Sequence, residues 1–240
     1  MLILLLTCEH GGNQIPARFS ASFAGQEQVL ASHRGYDIGA LPLFRDLKEL
    51  ADVSFFSETS RLVVDLNRSQ HHKNLFSEFI APLPDSEKKI VIQNYYDPYR
   101  DRVEQTVEHF VLAGKQVLHL AVHTFTPVLN GKLRHADIGL LYDPKRNGEQ
   151  TICKLWKAQL LKQNAGLQVR FNYPYLGIAD GLPTYLRRKF TGEQYLGIEL
   201  EVNQRFPEAD QEVWLGIRHQ LETTLQLVLQ QAGGVSESSE

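Results

Sequence analysis

A short apolar run that ends in a polar corner is the feature that most constrains this chain. It is clearest in MLILLLTCEHGGNQIP, where Leu2–Leu6 runs straight into Cys8, Glu9, His10, Gly11, Gly12 and Asn13. Five apolar residues are too few to span a bilayer. A continuous apolar run closed by turn residues reads as a strand buried on both faces of a parallel sheet. In α/β folds, reactive side chains gather at the carboxyl ends of such strands. The glycine pair permits a sharp turn and leaves room for a ligand beside the His10 imidazole.

The same signature recurs along the chain. Val53–Phe56, Arg61–Leu66 (RLVVDL), Gln116–Val122 (QVLHLAV), Asp137–Tyr142, Leu167–Phe171 and Tyr195–Asn203 (YLGIELEVN) read as strands. Gln26–Gly35, Asp37–Leu50, Ser86–Ala113 with a break near Pro98, Asn147–Gln163 and Glu208–Gln231 read as helices, and Phe125–His135 as a loop. Strands alternating with helices predict an α/β fold of three layers, α/β/α, around a mainly parallel sheet. The 240 residues suit one domain of this kind, over 1–232, with 233–240 (GGVSESSE) as a disordered tail. A net charge of −3 supplies no basic field, so neither nucleic acid nor an anionic membrane is expected as a partner. Cys8 and Cys153 stand too far apart to suggest a disulfide framework or a thiolate cage, and the expected location is the cytoplasm.

Four strand exits carry chemistry: His10, Asn67-Arg68, His123 and Glu201. Two neutral imidazoles and a carboxylate leave an open position on Zn²⁺ at which water becomes acidic. A further carboxylate moves the proton, and an Arg beside an Asn forms a charge-assisted fork for a substrate carboxylate. In RLVVDL, Arg61, Val63 and Asp65 alternate with Leu62, Val64 and Leu66. An acid in so apolar a run needs a partner, and the second ring N–H of His10 would provide one. In a strand, His119 and His123 lie about 13 Å apart and cannot hold one ion, which makes His119 a structural residue. Asp37 reads as a helix N-cap or as a metal ligand turned towards His10. Glu199, Glu201 and Asn203 share one strand face, which either a catalytic rim or a solvent-facing edge strand explains.

Taken together, EHGGNQIP, SRLVVDLNRS, a strand ending in His, and ELEVNQ resemble the N-formylglutamate amidohydrolase (deformylase) family from about Thr7 to Phe206. Ser60–Ser69 is the most specific part. Its Asp-Leu-Asn-Arg piece is also similar to zinc carboxypeptidases and aspartoacylases. The resemblance implies a zinc-exopeptidase-like (phosphorylase/hydrolase-like) fold and one Zn²⁺ per chain. It implies His10 and His123 as ligands, Asn67 and Arg68 as substrate binders and Glu201 as general base. Carboxypeptidases place a ligating Glu three residues after the first His, where Asn13 stands here. The third ligand must then come from elsewhere: Asp37, in RGYDIGA, is the choice, with Glu9 and Asn13 as alternatives. Arg187, in the basic segment Tyr185–Lys189, is assigned a second carboxylate or the developing oxyanion, against the reading of that segment as a solvated face. The expected activity is cleavage of a small acidic N-acyl amino acid, first N-formyl-L-glutamate. A bulkier amide of muramoyl-peptide type and an inactive metabolite-binding relative are the alternatives.

Overall fold

The computed structural model describes residues 1–234. Its frame is a six-stranded sheet in the order β2-β1-β3-β8-β6-β7. The strands are β1 (Leu2–Cys8), β2 (Val53–Phe56), β3 (Gln116–Phe125), β6 (Ile138–Leu141), β7 (Val169–Phe171) and β8 (Tyr195–Asn203), with a separate hairpin of β4 (Val128–Leu129) and β5 (Lys132–Leu133). Strands β2, β1, β3 and β8 run parallel; β6 is antiparallel to β8 and carries β7 parallel to itself. The helices are α1 (Glu27–Leu30), α2 (Ala40–Leu47), α3 (Asp85–Val91), α4 (Asp97–Leu112), α5 (Asn147–Gln163), α6 (Leu182–Arg187) and α7 (Gln211–Gly234).

The three layers follow from side-chain alternation. Leu4, Leu6 and Cys8 of β1, with Leu118, Leu120 and Val122 of β3, pack against α2, α5 and α7. Ile3, Leu5 and Val117 face the other way, onto Val103 and Val107 of α4 and Leu182 and Leu186 of α6. A fully buried leucine contributes roughly 1.5–3 kcal/mol, so these two faces supply most of the drive to fold. Nearer the carboxyl ends of the strands the α4/α6 face turns polar, with Thr7, His119, His123, Glu199 and Glu201, all buried.

Several expected elements differ. Arg61–Leu66 is a series of turns rather than a strand. The apolar residues of the run are all buried: Leu62, Val63, Val64 and Leu66 enter a second apolar cluster with Phe19, Phe23, Leu75 and Ile80. Backbone bonds from Asp65 to Leu75 O and from Val63 to Ser60 O replace a strand ladder. Gln26–Gly35 is helical only over α1, and the second helix starts at Ala40 rather than Asp37. The break near Pro98 is a π-turn over Ile92–Tyr96. Phe125–His135 contains the β4/β5 hairpin. Of the tail expected to be disordered, Gly233 and Gly234 close α7, and 235–240 lie outside the described residues.

The glycine pair after β1 also acts differently from the expectation. A Cβ at Gly12 would meet the Glu58 carbonyl oxygen at 2.6 Å, and Gly11 N donates to Ser57 O at 3.0 Å. The glycines let the segment after β2 lie directly on the turn, which presses His10 inward.

Candidate metal and amide-hydrolysis site

His10 leaves the turn after β1, and its carbonyl accepts the Asp37 amide at 3.0 Å, so the backbone itself ties the two together. His123 lies within β3, paired in register with Glu201 of β8. Opposite Glu201 across the next ladder is Gly139 of β6, where a Cβ would meet the Tyr173 carbonyl oxygen at 1.9 Å. Only glycine allows the 172–180 loop to close over the sheet there.

Asp37 is the meeting point. Its Oδ2 stands 3.0 Å from His123 Nδ1 and 3.4 Å from His10 Nδ1. The three residues each offer one donor atom within 4.8 Å of the others, and all three are buried. Asp37 makes no side-chain cap on α2, whose start is the left-handed Gly39; the capping reading of Asp37 is therefore corrected. On the far side, His10 Nε2 is 2.7 Å from Asp65 Oδ1, the partner that Asp65 needed. Glu9 Oε2 lies 3.3 Å from His123 Nε2. Arg61, which sequence reading did not single out, donates to Asp37 at 3.2 Å and to Asp65 at 2.7 Å. Its spacing of four from Asp65 was the available signal.

This donor set fits a divalent metal ion. Two imidazoles and one carboxylate make a three-ligand zinc site, and their separations suit an ion about 2 Å from each. The outer nitrogen of each histidine faces a carboxylate, as ligating histidines require. His123 Nε2 and Glu9 Oε2 are buried 3.3 Å apart with no well-directed hydrogen bond. Of the three alternatives, Asp37 has the position of a ligand. Glu9 stands behind His123, and the Asn13 side chain donates to Leu30 O at 3.0 Å, away from the cluster.

The electrostatics agree. Burial alone would raise Asp37, but the two histidines and Arg61 outweigh it and hold the carboxyl well below its usual range. Burial opposes charge on His123, yet Asp37 and Glu9 raise its pKa well above that of a free imidazole. Glu201 is the exception among the acids. Burial, opposed by His123 and reinforced by Asp37 and Glu199, pushes its carboxyl up to about 8, and Oε2 has no partner.

A cavity of about 140 Å³ opens beside this cluster, lined by His10, Asp37, His123, Glu201, Arg68 and Tyr175 among others. Arg68 donates to the Asp180 carbonyl at 2.9 Å, has Nε 3.9 Å from Asp65 Oδ2, and lines the cavity. Asn67 also lines it, but its amide is engaged at both ends: Nδ2 donates to Glu199 Oε1 at 3.0 Å and Oδ1 accepts from Leu182 N at 2.7 Å. The solvent-facing edge reading of Glu199 and Glu201 does not hold, because β8 is buried throughout and lies inside the sheet. Tyr175 and Asp180 come from a loop whose sequence carries no local sign of a site.

Arg187 is corrected. It is absent from the cavity wall and buried beneath it, donating to Glu149 Oε1 at 2.9 Å, Gly177 O at 2.6 Å and Gly197 O at 2.7 Å. It neutralises the fully buried Glu149 and ties the 172–180 loop to β8. Replacing Arg187 with Met should cost about 3–5 kcal/mol of unfolding free energy, because Glu149 is left as an uncompensated buried charge. Denaturant titration measures this; unchanged stability with a raised KM would return Arg187 to a substrate role.

Comparison with known proteins gives a consistent picture. The gene product Atu2144 of Agrobacterium tumefaciens has a similar solved structure, with a TM-score of 0.80 at 26% identity, covering 96% of this chain and 91% of that one. An N-formylglutamate amidohydrolase from Ralstonia eutropha JMP134 shares the fold, with a TM-score of 0.69 at 19% identity over 96% of this chain and 94% of its own. No curated protein sequence gives a significant match. The family model described as N-formylglutamate amidohydrolase matches residues 2–206. That span contains every cavity residue named above, and the chain belongs to the N-formylglutamate amidohydrolase family.

Proposed function

We propose that this chain hydrolyses the amide bond of a small N-acyl amino acid at a zinc centre held by His10, Asp37 and His123, with N-formyl-L-glutamate as the first substrate. The observation that carries the reading is the convergence of these three donor atoms beside a buried, unpartnered oxygen of Glu201. A zinc ion held by these residues would supply Lewis acidity for the acyl carbonyl and for water near neutral pH.

The remaining steps belong to the chain's own residues. Glu201 takes a proton from the attacking water on Oε2 and returns it to the departing amide nitrogen. Cleavage of the C–N bond then gives formate and the free amine of glutamate. The first transfer needs the carboxylate form, which a cation beside Glu201 favours, and the second uses the acid form that the first creates. Arg68, on the cavity wall, holds a substrate carboxylate through its guanidinium. Asn67 fixes Glu199 and the start of α6, so its part in substrate binding is to shape the wall. No feature of the cavity favours the bulkier amide.

Purified protein loaded with zinc should release formate from N-formyl-L-glutamate, and chelation followed by zinc addition should abolish and restore this. Zinc uptake without formate release would point to another acyl group or to a binding protein. Arg68→Ala should lower kcat/KM by roughly 30-fold or more, the equivalent of losing about 2–4 kcal/mol of a desolvated charge-assisted pair. Zinc content should be unchanged, and activity on acyl amines that have no carboxylate should barely move. Equal losses on both substrate types would make Arg68 structural.

A further inference from the structure

Glu9 stands behind His123, outside the cavity wall. It is fully buried, and among the described residues its ion-pair partner is His123. Asp37 and Asp65 share the guanidinium of Arg61, whereas Glu9 pairs with no arginine or lysine among the described residues. A buried carboxylate in that position is costly unless an opposite charge reaches it through a neighbour. Its Oε1 accepts a hydrogen bond from the Tyr99 hydroxyl of α4 at 3.0 Å, and its Oε2 faces His123 Nε2 at 3.3 Å.

The two histidines are thus arranged alike. Each turns Nδ1 to Asp37 and Nε2 to an outer carboxylate, Asp65 for His10 and Glu9 for His123. The outer carboxylates are held by different means, Asp65 by Arg61 and Glu9 by Tyr99. We propose that Glu9, clamped by Tyr99, is a positioning residue that fixes the ring orientation and tautomer of His123 for a divalent cation. The proposal rests on the zinc reading above.

The physical reason is directional. A cation on Nδ1 leaves the one remaining ring proton on Nε2, 3.3 Å from Glu9 Oε2, and a small turn of the ring completes a bond that strengthens the imidazole as a donor. Tyr99 suits the clamp because burial and the Glu9 charge raise its pKa well above the free phenol, so the hydroxyl stays a donor. His119, on the same strand face, is excluded from the cation: Nε2 meets Thr7 Oγ1 at 2.8 Å and Nδ1 meets the Tyr195 hydroxyl at 2.7 Å.

The test is the zinc dissociation constant, measured by competition with a chromogenic chelator for the wild-type chain, Glu9→Gln and Tyr99→Phe, beside thermal melting of the zinc-free forms. Glu9→Gln should raise Kd by about 10–100-fold, and Tyr99→Phe by about 3–10-fold through the lost hydrogen bond. Melting temperatures that fall while Kd stays within about twofold of wild type would overturn the proposal, since a structural role alone predicts that result. If Glu9→Gln does not fold, Tyr99→Phe decides, and a Kd equal to wild type overturns the proposal. Failure of the wild-type chain to take up zinc would instead remove the underlying metal reading.

Discussion

Replacing Glu201 with Gln should lower kcat by about 10²–10⁴ while leaving folding and zinc content as they are. The substitution keeps the size of the side chain and removes its ability to accept a proton. Glu199 provides the control, because both acids lie on one face of β8 and both line the cavity. Glu199 has Oε1 tied to Asn67 and sits about 7 Å further back along the strand, whereas Glu201 pairs in register with His123 and leaves Oε2 free. Glu199→Gln should therefore cost far less. Near-normal turnover in Glu201→Gln would show that the base is another group. A dead Glu199→Gln would show that the right face carries the wrong assignment.

Asp37→Ala should strip the chain of zinc, with at least a 10²-fold rise in Kd, since even an outer partner of a ligating histidine is worth 10–100-fold. Among the described residues Asp37 is the acid that both Nδ1 atoms approach, so its loss removes the proposed ligand and the link between the two histidines. Arg61 would keep Asp65 as its counter-charge, which limits the damage to the fold. Metal analysis after gel filtration reads the effect. Full zinc retention with reduced stability alone would mean that Asp37 serves only as a counter-charge to His10, His123 and Arg61.

What sequence determined by itself were the elements whose periodicity is set within one segment. Helix Asn147–Gln163 and strand Tyr195–Asn203 form over the very residues that their patterns mark, and β3 extends the expected strand through His123. Because strand exits in a parallel sheet share an edge, His10, His123 and Glu201 could be named before their distances were known. Local pattern failed where burial came from two directions. Leu62, Val63, Val64 and Leu66 are all enclosed by a second apolar cluster, so alternation along Arg61–Leu66 did not signal a strand. Charge partners were likewise hidden, because they join positions far apart in the chain: His10 to Asp65 across 55 residues, His123 to Asp37 across 86 and Asn67 to Glu199 across 132. Only the tertiary structure decided that Asp37 joins the two histidines rather than capping α2, that Arg187 neutralises Glu149 beneath the cavity, and that Glu9 and Arg61 stand behind the site. A side chain's residue type says which charge it can carry; which buried opposite charge it meets is settled by the packing of distant segments.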